Sequence, residues 1–187
     1  MIWVARENMV SQLPSTVTIH STSSSCPSQS LLDWLSLSFL PGVGCTLANR
    51  LVNKFGSPGY VLSARPAQLL EVEGVGQKMA RMITDPALVQ AYKNRAIQGL
   101  KNVAEGNCRA VCPDDESYPS NLLNIADPPV ALFCRGDMEC LGKPTVAIVG
   151  SRAATTYGKR VSFELARELA RHGICVVSGM AMGIDGE

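Results

Sequence analysis

Two short apolar runs, Val146-Ala147-Ile148-Val149 and Ile174-Cys175-Val176-Val177, each lead into glycine or small residues and bracket one amphipathic segment. Few folds accommodate that order. Continuous apolar runs fit strands of a parallel sheet that is covered on both faces. Between them Val161, Leu165 and Leu169 recur at i, i+4 and i+8, and Phe163, Ala166 and Ala170 widen the stripe, which predicts a helix. Gly173 follows the last periodic residue and is placed to end that helix in a left-handed conformation. The unit reads as a right-handed βαβ crossover, so both strands point their carboxyl ends at one edge. Crevices between adjacent strand ends are where such sheets bind ligands.

The residues at that edge favour an anion. The first loop is Gly150, Ser151, Arg152, and the second runs from Ser178 and Gly179 through Gly183 to Asp185. Glycines let a phosphate approach backbone N–H groups, serine hydroxyls donate hydrogen bonds, and the arginine fork matches phosphate oxygens. A helix starting after the first loop adds positive partial charge. The plain alternative is a tight turn with a surface arginine. Lys159 and Arg160 either extend a basic patch or form a solvated helix face. Nothing here spells a dinucleotide fingerprint, because the next glycine after Gly150 is Gly158, and no Walker A lysine stands at the required spacing.

Two further glycine turns lie upstream. Leu40-Pro41-Gly42-Val43-Gly44 separates a helical pattern over residues 31–37 from another carried by Leu47, Ala48, Leu51, Val52 and Phe55. Val72-Glu73-Gly74-Val75-Gly76 repeats the arrangement before Met79, Ala80, Met82 and Ile83. Both resemble helix-hairpin-helix motifs, whose turns can present N–H groups at a helix N-terminus to a DNA phosphate without reading a base. Gly42, Gly44, Gly74 and Gly76 are thus further candidate contacts, with Arg50 and Lys54, or Lys78 and Arg81, as supporting cations. The same turns also pack short helices in domains that never meet nucleic acid, with the central valine plugging the core. Glu71 and Glu73 would repel phosphate at the second turn.

Three regions follow. Residues 1–30 form a Ser/Thr-rich tail, about half serine or threonine from Ser11 onward and without helical periodicity, which predicts disorder. Residues 31–105 form a helical domain with the paired hairpins. Residues 106–187 begin an α/β domain through a β-rich lead-in, with strands around residues 109–113 and 130–134 and a helical turn near 121–125. No apolar run reaches a membrane span and no signal-peptide core is present, so a cytoplasmic protein is expected. The seven cysteines are expected to be reduced thiols, and no metal site is assigned. His20 and His172 make no catalytic case, and no serine, histidine and carboxylate triad can be built. A net charge of +1 leaves only local patches to attract nucleic acid.

The order of motifs resembles the DNA-processing protein A family, also called DprA or Smf. The resemblance rests on YPSNLLNIADPPVALFCRGD (118–137), VAIVGSRAATTYGKR (146–160) and VVSGMAMGIDGE (176–187), preceded by the paired hairpins. It implies an N-terminal helical domain followed by an extended Rossmann-like parallel sheet. It further implies a single-stranded DNA-binding protein of natural transformation that protects incoming strands and helps load the RecA recombinase, with no catalytic reaction and no cofactor. A homodimer is implied for the full-length protein. By likeness to the family loops, Gly150, Ser151 and Arg152 together with Ser178, Gly179 and Gly183 line the pocket that holds the DNA backbone. The family pattern continues past G-I-D into more strands and helices, whereas this sequence stops at Glu187. A truncated sheet is therefore expected, with Val149 and Val177 facing solvent or a gap. Two alternatives stay open: a Rossmann-like nucleotide-binding hydrolase with Asp185 as a participant, and a duplex-DNA or protein interaction module built on the hairpins.

Overall fold

The computed structural model describes residues 2–3, 28–105, 108–179 and 181–187. The chain divides into two compact units, one of residues 5–132 and one of residues 1–4 with 133–187. A short strand β1 (Ile2–Trp3) precedes six helices: α1 (Gln29–Ser38), α2 (Cys45–Phe55), α3 (Pro58–Leu62), α4 (Pro66–Leu69), α5 (Gln77–Thr84) and α6 (Pro86–Glu105). Then follow β2 (Arg109–Val111), α7 (Ser120–Leu123), β3 (Leu132–Cys134), β4 (Thr145–Ala147), α8 (Thr156–Arg171) and β5 (Cys175–Val177). Helix α1 starts two residues before the predicted boundary at 31, because the Ser28 hydroxyl accepts from the Leu31 N–H and caps it. Ile2 and Trp3 pair antiparallel with Cys134 and Phe133, so the predicted tail contains a strand. The rest of that Ser/Thr-rich tail, up to residue 27, lies outside the described residues. No helix among the described residues is long and apolar enough to cross a membrane.

The helical unit closes around Leu37, Leu51, Val61, Leu69 and Ile83, all fully buried. Its two hairpins are built alike. Gly42 and Gly74 adopt φ of +84° and +93°, the left-handed region where a side chain is strained, and Val43 and Val75 drop into the core behind them. Gly44 and Gly76 then cap α2 and α5 in ordinary extended conformations. A Cβ on Gly42 would lie 3.0 Å from Met79 Cε, and one on Gly74 would lie 3.6 Å from Leu47 Cδ1. Leu47 and Met79 hold the same place in their helices, so each turn packs on the other motif's helix with approximate twofold symmetry. Helix α6, twenty residues long, closes the unit against α1. Lys93 on α6 pairs with the buried Asp33 carboxylate on α1 at 3.1 Å, and Gln29 donates to the same oxygen at 2.9 Å.

In the second unit β4 and β5 run parallel, with Thr145 opposite Cys175, Val146 opposite Val176 and Ala147 opposite Val177. The predicted crossover is present, and Gly173 ends α8 at φ +74° as expected. Coverage on both faces is not: Val149 is 71% exposed and β4 is exposed along its length. The expected α8 stripe is likewise displaced, since Val161, Phe163 and Leu165 are exposed while Ser162 is buried. A two-stranded sheet is too narrow to cover a four-turn apolar helix face, so only the small side of the helix meets β5. Cys140 and Cys175 pair as a disulfide with Cα atoms 5.6 Å apart, linking the 3-10 turn Met138–Gly142 to the start of β5. This corrects the expectation of reduced thiols for that pair, because the turn before β4 delivers Cys140 beside the first residue of β5.

Gly42→Ala is expected to lower stability by about 1 kcal/mol through backbone strain, read as a shift of the urea midpoint. The Cys112 thiol is fully buried, and burial, opposed in part by a hydrogen bond from Asp114, pushes its pKa up to about 12. It is expected to resist alkylation by iodoacetamide in the folded protein and to react once urea unfolds the chain, which mass spectrometry of labelled peptides would check.

Candidate functional site

The parallel register places the ends of β4 and β5 side by side. Ile148 N–H donates to the Val177 carbonyl at 3.0 Å, and the Ser178 hydroxyl donates to the Ile148 carbonyl at 2.9 Å. Ser178 is buried, and its single hydroxyl hydrogen is engaged with the neighbouring strand. Its role in this arrangement is to pin the two strand ends together.

The second loop folds back across the first. Gly183 has φ +98°, and a Cβ there would fall on the Ser151 carbonyl oxygen and 2.7 Å from Arg152 Cα. Ile184 N–H donates to that same Ser151 carbonyl at 3.2 Å. The Ile184 side chain covers Gly150, where an added Cβ would meet it at 2.7 Å, and lies 3.3 Å from where a Cβ on Gly158 would stand. Asp185 completes the closure: its Oδ1 accepts the Gly150 N–H at 3.0 Å, and its Oδ2 stands 3.0 Å from the position of a Gly179 Cβ. The glycines predicted to admit a phosphate are thus brought together, and their free space is taken up by Ile184 and Asp185.

The cations divide into paired and unpaired. Arg152 is exposed, its backbone held by the Gly183 approach, and it has no ion-pair partner among the described residues. Lys159 pairs with Glu187 at 3.0 Å, and Arg160 lies over the exposed Tyr157 ring at 5.9 Å from its centroid. The Ser151 hydroxyl oxygen accepts from Ala153 N–H at 3.2 Å, which leaves its own hydrogen to donate. Thr155 caps α8 through a bond from Gly158 N–H at 3.1 Å.

The hairpin turns are differently equipped. At the first, Thr46 in the opening turn of α2 donates to the Asp127 carboxylate at 2.9 Å, and Asn49 donates to the Pro128 carbonyl at 2.6 Å. An internal carboxylate therefore sits where the helix N-terminus would favour an anion. Arg50 pairs with Glu73 at 3.4 Å and Lys54 with Glu71 at 2.8 Å, so the predicted supporting cations are neutralised locally. At the second turn Lys78 and Arg81 have no ion-pair partner among the described residues. They line a surface depression of about 510 Å³ with Gln77, Met82, Asp85 and Leu88. Asp127 was not flagged by sequence because its contact spans 81 residues.

Known proteins match both units. The family described as DNA recombination-mediator protein A matches residues 109–187, and the SAM-like helix-hairpin-helix tandem matches residues 35–87. Protein Smf of Synechocystis is 36% identical over 158 residues, covering 82% of this chain and 39% of the relative. DNA processing protein DprA of Bacillus subtilis is 49% identical over 102 residues, covering 54% of this chain and 31% of the relative. Protein Smf of Escherichia coli is 41% identical over 80 residues, covering 43% and 21%. The chain thus spans less than half the length of these curated relatives. Together the two family matches cover the hairpin region and the α/β region, and the chain belongs to the DNA-processing protein A (DprA/Smf) family.

Proposed function

We propose that the strand-end crevice holds the sugar-phosphate backbone of single-stranded DNA in a non-enzymatic protein of natural transformation and recombination. On this reading the protein protects incoming strands and helps load RecA, and it acts as a homodimer at full length. The observation that carries the reading is Arg152, an exposed guanidinium with no ion-pair partner among the described residues, on a loop whose backbone is held in place by Gly183. It lies within the region matched by the recombination-mediator family, and the Bacillus subtilis relative is a DNA processing protein.

The chemistry is electrostatic. A phosphodiester carries one delocalised negative charge, and a guanidinium meets two of its oxygens at once. The Ser151 hydroxyl hydrogen and the opening turn of α8 add donors on the same loop. None of these groups reads a base edge, so binding is indifferent to sequence and releases counterions. Lys159 contributes less than its charge suggests because Glu187 offsets it. A hydrolase reading needs a nucleotide seated in the crevice floor, and there the Gly150 N–H already has Asp185 as its acceptor.

The second hairpin supplies an auxiliary reading. Lys78 in the first turn of α5 and Arg81 in its last turn have no ion-pair partner among the described residues and line one depression, so a second phosphate contact belongs there in preference to the first hairpin, where Asp127 accepts from Thr46.

In a salt titration of an unstructured oligonucleotide with the full-length protein, Arg152→Ala is expected to flatten the log-log slope by about 0.7, one phosphate contact on a single strand. Lys159→Ala should change it less. Equal slopes for wild type and Arg152→Ala would remove the crevice from consideration. For the hairpin, the double variant Lys78→Ala with Arg81→Ala should weaken duplex binding roughly tenfold at low salt and leave single-strand affinity nearly unchanged. A larger loss for single strands would move the main site to the hairpin.

A further inference from the structure

Asp185 reaches across from the second loop to a backbone N–H of the first. Its carboxylate is the acceptor for the Gly150 N–H at 3.0 Å, at the end of β4, where glycine-rich strand-end loops present amides to anions. The same carboxylate presses on Gly179 from above, with Oδ2 3.0 Å from the added Cβ position. Ile184, one residue before it, fills the space over Gly150 and donates its own N–H to Ser151. Two residues before it, Gly183 brings the backbone of the second loop onto the Ser151 carbonyl. Three consecutive residues therefore bind one loop to the other, and the carboxylate does so through a charge-assisted hydrogen bond.

We propose that Asp185 is the positioning residue of the crevice: it serves as an internal anion on Gly150, clamps the second loop across the first, and confines a DNA phosphate to the Arg152 rim. This rests on the backbone-binding reading above. A phosphate seated on Gly150 would stand against a fixed carboxylate, and like charges at that separation repel. A strand lying across the mouth avoids that repulsion and meets the guanidinium instead. Asp185 thereby disfavours a free nucleotide, whose terminal phosphate must enter the floor, and tolerates a diester backbone that passes over the rim.

The test compares wild type with Asp185→Ala and Asp185→Asn in the full-length protein, using amide hydrogen exchange at Gly150 and affinity for an unstructured oligonucleotide, with circular dichroism as a check on folding. Asparagine retains an acceptor oxygen of the same reach; alanine does not. Loss of the hydrogen bond in Asp185→Ala is expected to speed Gly150 exchange about tenfold and to weaken DNA binding about fivefold, with Asp185→Asn restoring both to within about twofold. Unchanged Gly150 exchange in Asp185→Ala overturns the clamp. Tighter DNA binding in both variants also overturns it, since Asp185 would then act only by repulsion. If wild type binds no DNA while Gly150 exchange responds as expected, the clamp stands and the DNA reading alone fails.

Discussion

A side chain at position 183 would place its Cβ on the Ser151 carbonyl oxygen, and this close backbone approach is the constraint from which the crevice geometry follows. Only glycine combines φ of +98° with no bulk at that point. Once the backbones meet, Ile184 must lie over Gly150 and Asp185 must reach the Gly150 N–H, because successive residues of a tight turn have little freedom. The three-residue ladder of β4 and β5 is short, and parallel pairing is weak per residue. Ser178, donating to Ile148, fastens the two strands at one end, and at the other the Cys140–Cys175 pair ties β5 to the turn that leads into β4. The loops thus rest on a frame fastened by side chains as well as by its backbone ladder.

Charge is arranged so that a nearly neutral chain can still present isolated cations. Arg50, Lys54, Lys93 and Lys159 each have a carboxylate within ion-pair distance. Three of those pairs are surface features worth little to stability. Their effect is on the local field: they cancel charge beside the first hairpin and at Lys159, while Arg152 in one unit and Lys78 and Arg81 in the other are among the cations that have no ion-pair partner among the described residues. The bulk value of +1 therefore says nothing about either patch.

Local features were legible in the sequence, and long-range ones were not. The hairpin turns, the order β4, α8, β5 and the left-handed Gly173 all follow from periodicity and glycine placement, and all are present. The glycines of both crevice loops were also found, because a strand that ends in glycine announces itself. What remained hidden was what fills the room those glycines leave. Ile184 over Gly150 and Asp185 on its N–H span 34 and 35 residues of chain, and composition carries no trace of either contact. The α8 stripe misled for a related reason: apolar spacing predicts a face to be buried, while the area of sheet available to bury it depends on strands elsewhere.

The same device occurs in both units. Asp127 engages Thr46 at the start of α2, and Asp185 engages Gly150 at the end of β4, so a distant carboxylate satisfies donors that would otherwise await an anion. Unsatisfied donors at such turns leave a loop free to sample many conformations, whereas an internal acceptor fixes one. The order gained has a consequence for ligands. An incoming phosphate must either displace a tethered carboxylate, whose effective concentration is high because the chain holds it in place, or bind beside it. Binding beside it requires a cation on the rim, and at the crevice Arg152 stands there on a backbone fixed by Gly183. At the first hairpin the neighbouring cations are already paired, and no such alternative is on offer. The difference between the two sites lies in where the charges near an internally satisfied turn are left unpaired, and that property separates a glycine turn that packs from one that binds.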